Sequence, residues 1–147
     1  MMSHNLQVLQ HARGQVQVGI QRLAEKYPFH AAVIERLDVQ CRADVGTMGV
    51  TVAGDKVRML YDPLFVLETS MDELVGVLLH EVHHVVFGHI LVDLSGFPDQ
   101  WTRTVAEEVS ANEFIEEPLP GEPIRLQLFP GLPPMESTDE RYDRLKQ

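Results

Sequence analysis

His80, Glu81 and His84 form the pattern His-Glu-x-x-His within His80-Glu81-Val82-His83-His84. On a helix, at about 100° per residue, the two histidines lie about 40° apart and one turn along the same face, so both imidazoles reach one ion. A zinc ion held there lowers the pKa of a bound water towards about 7. Glu81, beside the ligands without being one, is placed to take that water's proton as it attacks a carbonyl carbon. His83 stands at i+3 from His80 and reads as an outward-facing or supporting residue. The run from Met71 to about Phe87 carries Leu74, Val75, Leu78, Leu79, Val82, Val85 and Val86 round much of its circumference, which predicts a largely buried helix. A chance match to so short a pattern is the competing reading. It fails to explain why a buried helix would carry a carboxylate and three imidazoles with nothing to satisfy them.

A catalytic zinc takes three protein ligands and keeps one position open, so a further ligand must come from elsewhere. His89 lies about 140° round from His84 if the helix continues, and reaches the ion only if the helix breaks near Gly88. The acidic run Ala106-Glu107-Glu108-Val109-Ser110-Ala111-Asn112-Glu113 offers Glu108, which shares a face with Asn112 at i and i+4. Glu107 is its neighbour, pointing about 100° away. Glu113, Glu116 and Glu117 read as a solvated face.

The elements that must position these groups follow from period and punctuation. Leu6, Leu9, Val16, Ile20 and Leu23 recur near helical spacing up to Tyr27-Pro28, predicting one amphipathic helix weakened by Gly14 and Gly19. Ala31–Leu37 is a second short helical stretch. Gly46–Val52 and Lys56–Tyr61 are β-rich runs flanking Ala53-Gly54-Asp55, an antiparallel hairpin, with Val39–Ala43 as a candidate third strand. Ser70-x-x-Glu73 is a capping box ahead of the His-Glu-x-x-His helix. A further helix runs from about Gln100 to Glu116, with Asp99 as N-cap and Pro118 beyond its end. From Pro118 to Gln147 the chain becomes Pro-rich, closing with a second capping box, Ser137 to Glu140, before a short helix with Tyr142 and Leu145. The expected class is α+β in a single domain over 1–147, with 118–147 as a C-terminal tail.

Bulk composition narrows the function. With 147 residues, 44% of them hydrophobic, there is material for one core. The formal charge of -10, from 22 acidic against 12 basic residues, argues against a nucleic-acid surface. No apolar run is long enough for a membrane helix, and Met1–Gln10 lacks a leader's layout. The lone Cys41 makes no internal disulfide and reads as a core or edge residue, so a cytoplasmic location is expected.

The pairing of Glu108 with Asn112, downstream of the histidines, resembles that of gluzincin peptidases, where a helical glutamate completes the zinc site and a polar residue four positions later bonds a zinc-bound histidine. Glu108-Val-Ser-Ala-Asn-Glu-Phe is similar to the E-x-x-A-N-x-F signature of ImmA/IrrE-type metallopeptidases. A longer stretch, roughly Lys56 to Leu145, resembles metallopeptidase domains often found ahead of a von Willebrand factor A-like domain. Its carrying residues are Tyr61-Asp62-Pro63, Leu78 to His84, Phe87-Gly88-His89, Trp101, the Glu108–Asn112 pair and Tyr142. That family commonly has Trp-Asn and an aspartate after a shorter step, where this chain has Trp101-Thr102 and Glu108.

The resemblance implies a zincin-like fold: a small antiparallel sheet packed on the active-site helix, with an N-terminal helix and a downstream glutamate helix. It implies one Zn2+ per chain on His80, His84 and Glu108, with Glu81 as general base of a peptide hydrolase. It also implies an extended peptide or protein substrate added to an edge strand, for which Val57–Tyr61 is the first candidate, and a von Willebrand factor A-like partner protein. Tyr142, Arg141 and His89 are candidate oxyanion donors. The tail is a packed cover or, as in some minimal gluzincins, a self-inhibiting segment. Two other readings stay open: a zinc-containing interaction module without turnover, and a hydrolase of non-peptide amides with His89 as ligand.

Overall fold

A computed structural model describes residues 2–147, with side chains from residue 5 onward. Met1, the first residue of the stretch read as lacking a leader, lies outside the described residues. The order is α1 (Met2–Lys26), α2 (Pro28–Glu35), β1 (Asp38–Cys41), β2 (Met48–Ala53), β3 (Lys56–Tyr61), α3 (Pro63–Glu68), α4 (Met71–Val86), α5 (Gln100–Asn112) and α6 (Thr138–Lys146), with short 3-10 turns between α4 and α5 and in the tail. This is α+β, as the switch of hydrophobic period predicts. No helix among the described residues is long and apolar enough to cross a membrane.

The sheet corrects two expectations. It is mixed, in the order β1-β3-β2: β3 runs antiparallel to β2 across the Gly54-Asp55 turn and parallel to β1. Gly54 supplies the left-handed φ of 66° that this turn needs. β3 is therefore the central strand and not the free edge. The reason is burial. Met59, wholly buried, sits in register between Val39 and Val50, and Tyr61 is buried too, so the strand richest in inward apolar groups takes the middle. Cys41 stands half-buried on the edge strand β1.

α4 is the axis of the molecule. Ser70 Oγ accepts from Glu73 N–H at 3.2 Å while Glu73 Oε1 accepts from Ser70 N–H at 3.4 Å, so the predicted capping box starts the helix. Leu74, Leu78 and Val82, at i, i+4 and i+8, are completely buried, and burying each such side chain contributes roughly 1.5–3 kcal/mol. α1 packs along this face. Gly19 permits the approach, since a Cβ there would lie 3.2 Å from both Leu74 and Leu78.

Boundaries moved where short-range rules were incomplete. α2 begins at Pro28, whose fixed φ suits a first helical turn. α3 had no sequence expectation. Asp62 caps it by accepting from Leu64 N–H at 2.9 Å, and also accepts from Gly46 N–H at 3.0 Å, tying it to the loop before β2. α5 ends at Asn112, short of Glu116. Beyond it Glu117 accepts from Tyr27 Oη at 2.8 Å and from Lys26 at 3.3 Å, and Glu113 pairs with Arg141 at 2.6 Å. Those two carboxylates are therefore structural and not a solvated face; Glu116 is exposed, as expected.

After α5 the tail returns across α4 at Gly76, where the Pro118 carbonyl lies 2.4 Å from where a Cβ would stand. Gly76→Ala should therefore destabilise the protein by about 1–3 kcal/mol. Gly14→Ala, in open space on α1, should be stabilising by up to about 1 kcal/mol. Chemical denaturation of both variants checks the pair; equal stabilities would refute a tight crossing.

Candidate metal centre

Two helices supply the centre. α4 presents His80, Glu81 and His84, and α5 presents Glu108 and Asn112 across from them. His84 Nε2 lies 2.9 Å from His80 Nε2 and 2.9 Å from Glu108 Oε2, and His80 Nε2 lies 3.2 Å from the same oxygen. Three donor atoms from two helices thus form a triangle able to hold a metal ion. Ligand atoms bonded at about 2.0–2.1 Å in a tetrahedron stand about 3.3 Å apart, so the triangle needs little adjustment to accept such an ion.

Hydrogen bonding settles which nitrogen faces inward on His80. The Asn112 side chain donates Nδ2–H to the Ile124 carbonyl at 2.9 Å, which leaves its Oδ1 facing His80 Nδ1 at 2.6 Å. Oδ1 only accepts, so Nδ1 carries the proton and the Nε2 lone pair points at the triangle. The electrostatics agree. Burial alone would lower the pKa of His80, but Glu108 and Glu81 outweigh it and raise it. Burial alone would raise that of Glu108, but the two imidazoles hold it well below the carboxylate range. Such a site favours a positive charge at its middle.

Glu81 is buried, its Oε1 3.9 Å from His80 Nε2. Burial pushes its pKa up to about 7, against the pull of His80 and His84, so its carboxylate is a readier proton acceptor than an exposed one. His83 turns away, as expected. Its Nδ1–H donates to the Ala111 carbonyl at 2.8 Å, and its Nε2 faces His30 Nε2 at 3.0 Å, joining α4 to α5 and α2.

The helix does break at Gly88, which adopts a left-handed φ of 73°. The break turns His89 inward, onto the Nδ1 side of His84 at 2.8 Å, while its Nε2 meets Thr138 Oγ1 at 2.8 Å. His84, His89 and Glu107 form a second grouping of possible ligands. It fits less well, because Glu107 already accepts from buried Arg103 Nε at 2.8 Å and both nitrogens of His89 have partners. Burial pushes His89 down to about 3, so it stays neutral.

The donors open into a cavity of about 670 Å³, walled by Met48–Val50 of β2 on one side and by Leu119–Ile124 of the tail on another. Tyr142 and Arg141 do not line it. Tyr142 Oη accepts from Asp99 N–H at 3.1 Å, and Arg141 is completely buried against Ser110 and Glu113. Sequence reasoning missed His30, Ser110 and Thr138, which carry no local signal of their role.

The family described as "Putative metallopeptidase domain" matches residues 11–106, reaching back into α1 and stopping just short of Glu108. No curated protein and no solved structure matches the chain.

Glu108 and Glu107 are separable by substitution. Glu108→Ala should lose most bound metal, measured by elemental analysis after dialysis. Glu107→Ala should keep its metal yet lose about 1–3 kcal/mol of stability, because the buried Arg103 loses a partner. The reverse pattern would make Glu107 the ligand.

Proposed function

Since this chain belongs to the putative metallopeptidase domain family, we propose that it is a zinc-dependent peptide hydrolase with a zincin-like site, in which His80, His84 and Glu108 hold one zinc ion per chain and Glu81 is the general base. The observation that supports this most directly is the triangle of His80, His84 and Glu108 donor atoms, 2.9–3.2 Å apart, with the buried Glu81 carboxylate beside it. Bound there, zinc supplies a Lewis acid that lowers the pKa of water and polarises a carbonyl.

The chain's own residues supply the rest. Glu81 takes a proton from the attacking water as the oxygen bonds to the peptide carbonyl carbon, and returns it to the departing amine as the C–N bond breaks. Asn112 keeps the His80 ring fixed through the cycle, since its two ends are held by His80 and the Ile124 carbonyl.

The substrate seat is on β2. Thr47 O accepts from Asp62 N–H at 2.9 Å, and antiparallel pairs alternate, so Gly49 and Thr51 bond to β3 while the main-chain groups of Met48 and Val50 point to the free side. An extended peptide adding to that edge lies along the wall of the cavity that contains Glu81. From the sequence resemblance, the proposal includes a von Willebrand factor A-like partner protein.

Glu81→Gln tests the reading. It should keep about one zinc per chain while cleavage of a mixed peptide library falls by about 10²–10⁴-fold. Zinc bound without cleavage in the wild type would favour an interaction module instead, and wild type that takes up no zinc would sink the proposal.

A further inference from the structure

The hydrogen bonds around His84 continue past His89 into the C-terminal helix. Thr138 Oγ1 donates to Ser110 Oγ at 2.9 Å, and Ser110 Oγ also accepts from Arg141 Nη1 at 3.1 Å. Arg141 is fully buried, and its Nη2 donates to Glu113 at 2.6 Å and to the Pro133 carbonyl at 3.4 Å. A guanidinium only donates, so Ser110 Oγ is an acceptor at the far end of the chain. With its one proton given to Ser110, Thr138 must accept from His89, which therefore carries its proton on Nε2. His89 Nδ1 lies 2.8 Å from His84 Nδ1, so one of the two must donate; with the His89 proton on Nε2, the donor is His84 Nδ1–H. The His84 Nε2 lone pair is left facing His80 and Glu108.

We propose that His89 and Thr138, fixed by Ser110 and Arg141, are positioning residues for His84, holding its ring in the tautomer and orientation that turn Nε2 to the metal. This rests on the reading of His84 as a zinc ligand. His80 is oriented by a single step to Asn112 on the neighbouring helix. His84 is oriented by a relay of side chains ending on α6, so the C-terminal helix is a working part of the metal centre. The relay also gives His89 a role other than ligand, for its Nδ1 meets the face of His84 opposite Glu108. Partners of this kind typically contribute 10–100-fold to metal affinity.

The test uses the full chain, with zinc affinity from chelator competition and the visible absorption bands of the Co(II)-loaded protein as readouts. Thr138→Val, which removes the hydroxyl at nearly constant shape, should weaken zinc binding by about 10-fold or more, and Thr138→Ser should restore it. His89→Ala should weaken zinc by about 10–100-fold while leaving the Co(II) band pattern as in wild type. Wild-type affinity in both Thr138→Val and His89→Ala would overturn the proposal. So would an altered band pattern in His89→Ala, which would make His89 a ligand. Should Thr138→Val fail to fold, His89→Ala alone decides. Failure of the underlying reading looks different: wild type and every variant would then be equally without zinc.

Discussion

A helix buried on most sides cannot carry polar groups without partners, and α4 carries four of them in five residues: His80, Glu81, His83 and His84. Everything on the α5 side of the molecule answers that constraint. Asn112 and Glu108 meet His80 and His84, the Ala111 carbonyl meets His83, and His89 returns through the Gly88 turn to meet the far nitrogen of His84. The convergence that a cation would use is thus also the arrangement that makes α4 tolerable in a protein interior.

The two flanks of α4 divide the work. On one, α1 and the mixed sheet provide apolar packing through Leu23, Met59, Leu74 and Leu78. On the other, α5 and α6 are joined by polar links: Arg103 to Asp139, Arg141 to Glu113, and Asp99 to Tyr142. The buried one of these, Arg141 with Glu113, contributes less to stability than to fixing geometry, because desolvating the charges offsets much of their attraction. Rigidity is what donor atoms held about 3 Å apart require. The tail belongs to this flank as well: Leu119–Ile124 walls the cavity and Ile124 holds Asn112, so it is more than a detachable cover.

What could be read from sequence was what neighbouring residues decide. The His-Glu-x-x-His helix with its end near Phe87, both capping boxes and the β2–β3 hairpin all rest on relations between near neighbours, and each stands in the structure. α3 escaped notice because six residues are too few to display a period. The strand order escaped because pairing partners are not a local property. Val57–Tyr61 has the composition of a strand in either position, and only the arrival of β1 at its other side makes it central. Glu108 and Glu107 differ by a rotation that sequence defines, but which of them faces α4 depends on how α5 docks. Thr138 and Ser110 were beyond reach for the same reason, since they are distant in sequence from the histidines they support.

The bond between His89 and Thr138 joins residues 49 positions apart. During synthesis α4 leaves the ribosome well before α6 exists, so its imidazoles emerge with half their partners still unmade. Apart from Ile115, the buried apolar cluster is drawn from residues no later than Val82, so most of it is available before the polar partners are. The polar convergence on α4 is complete only when α6 has docked, because Thr138, the partner of His89 and of Ser110, stands at the start of that last helix.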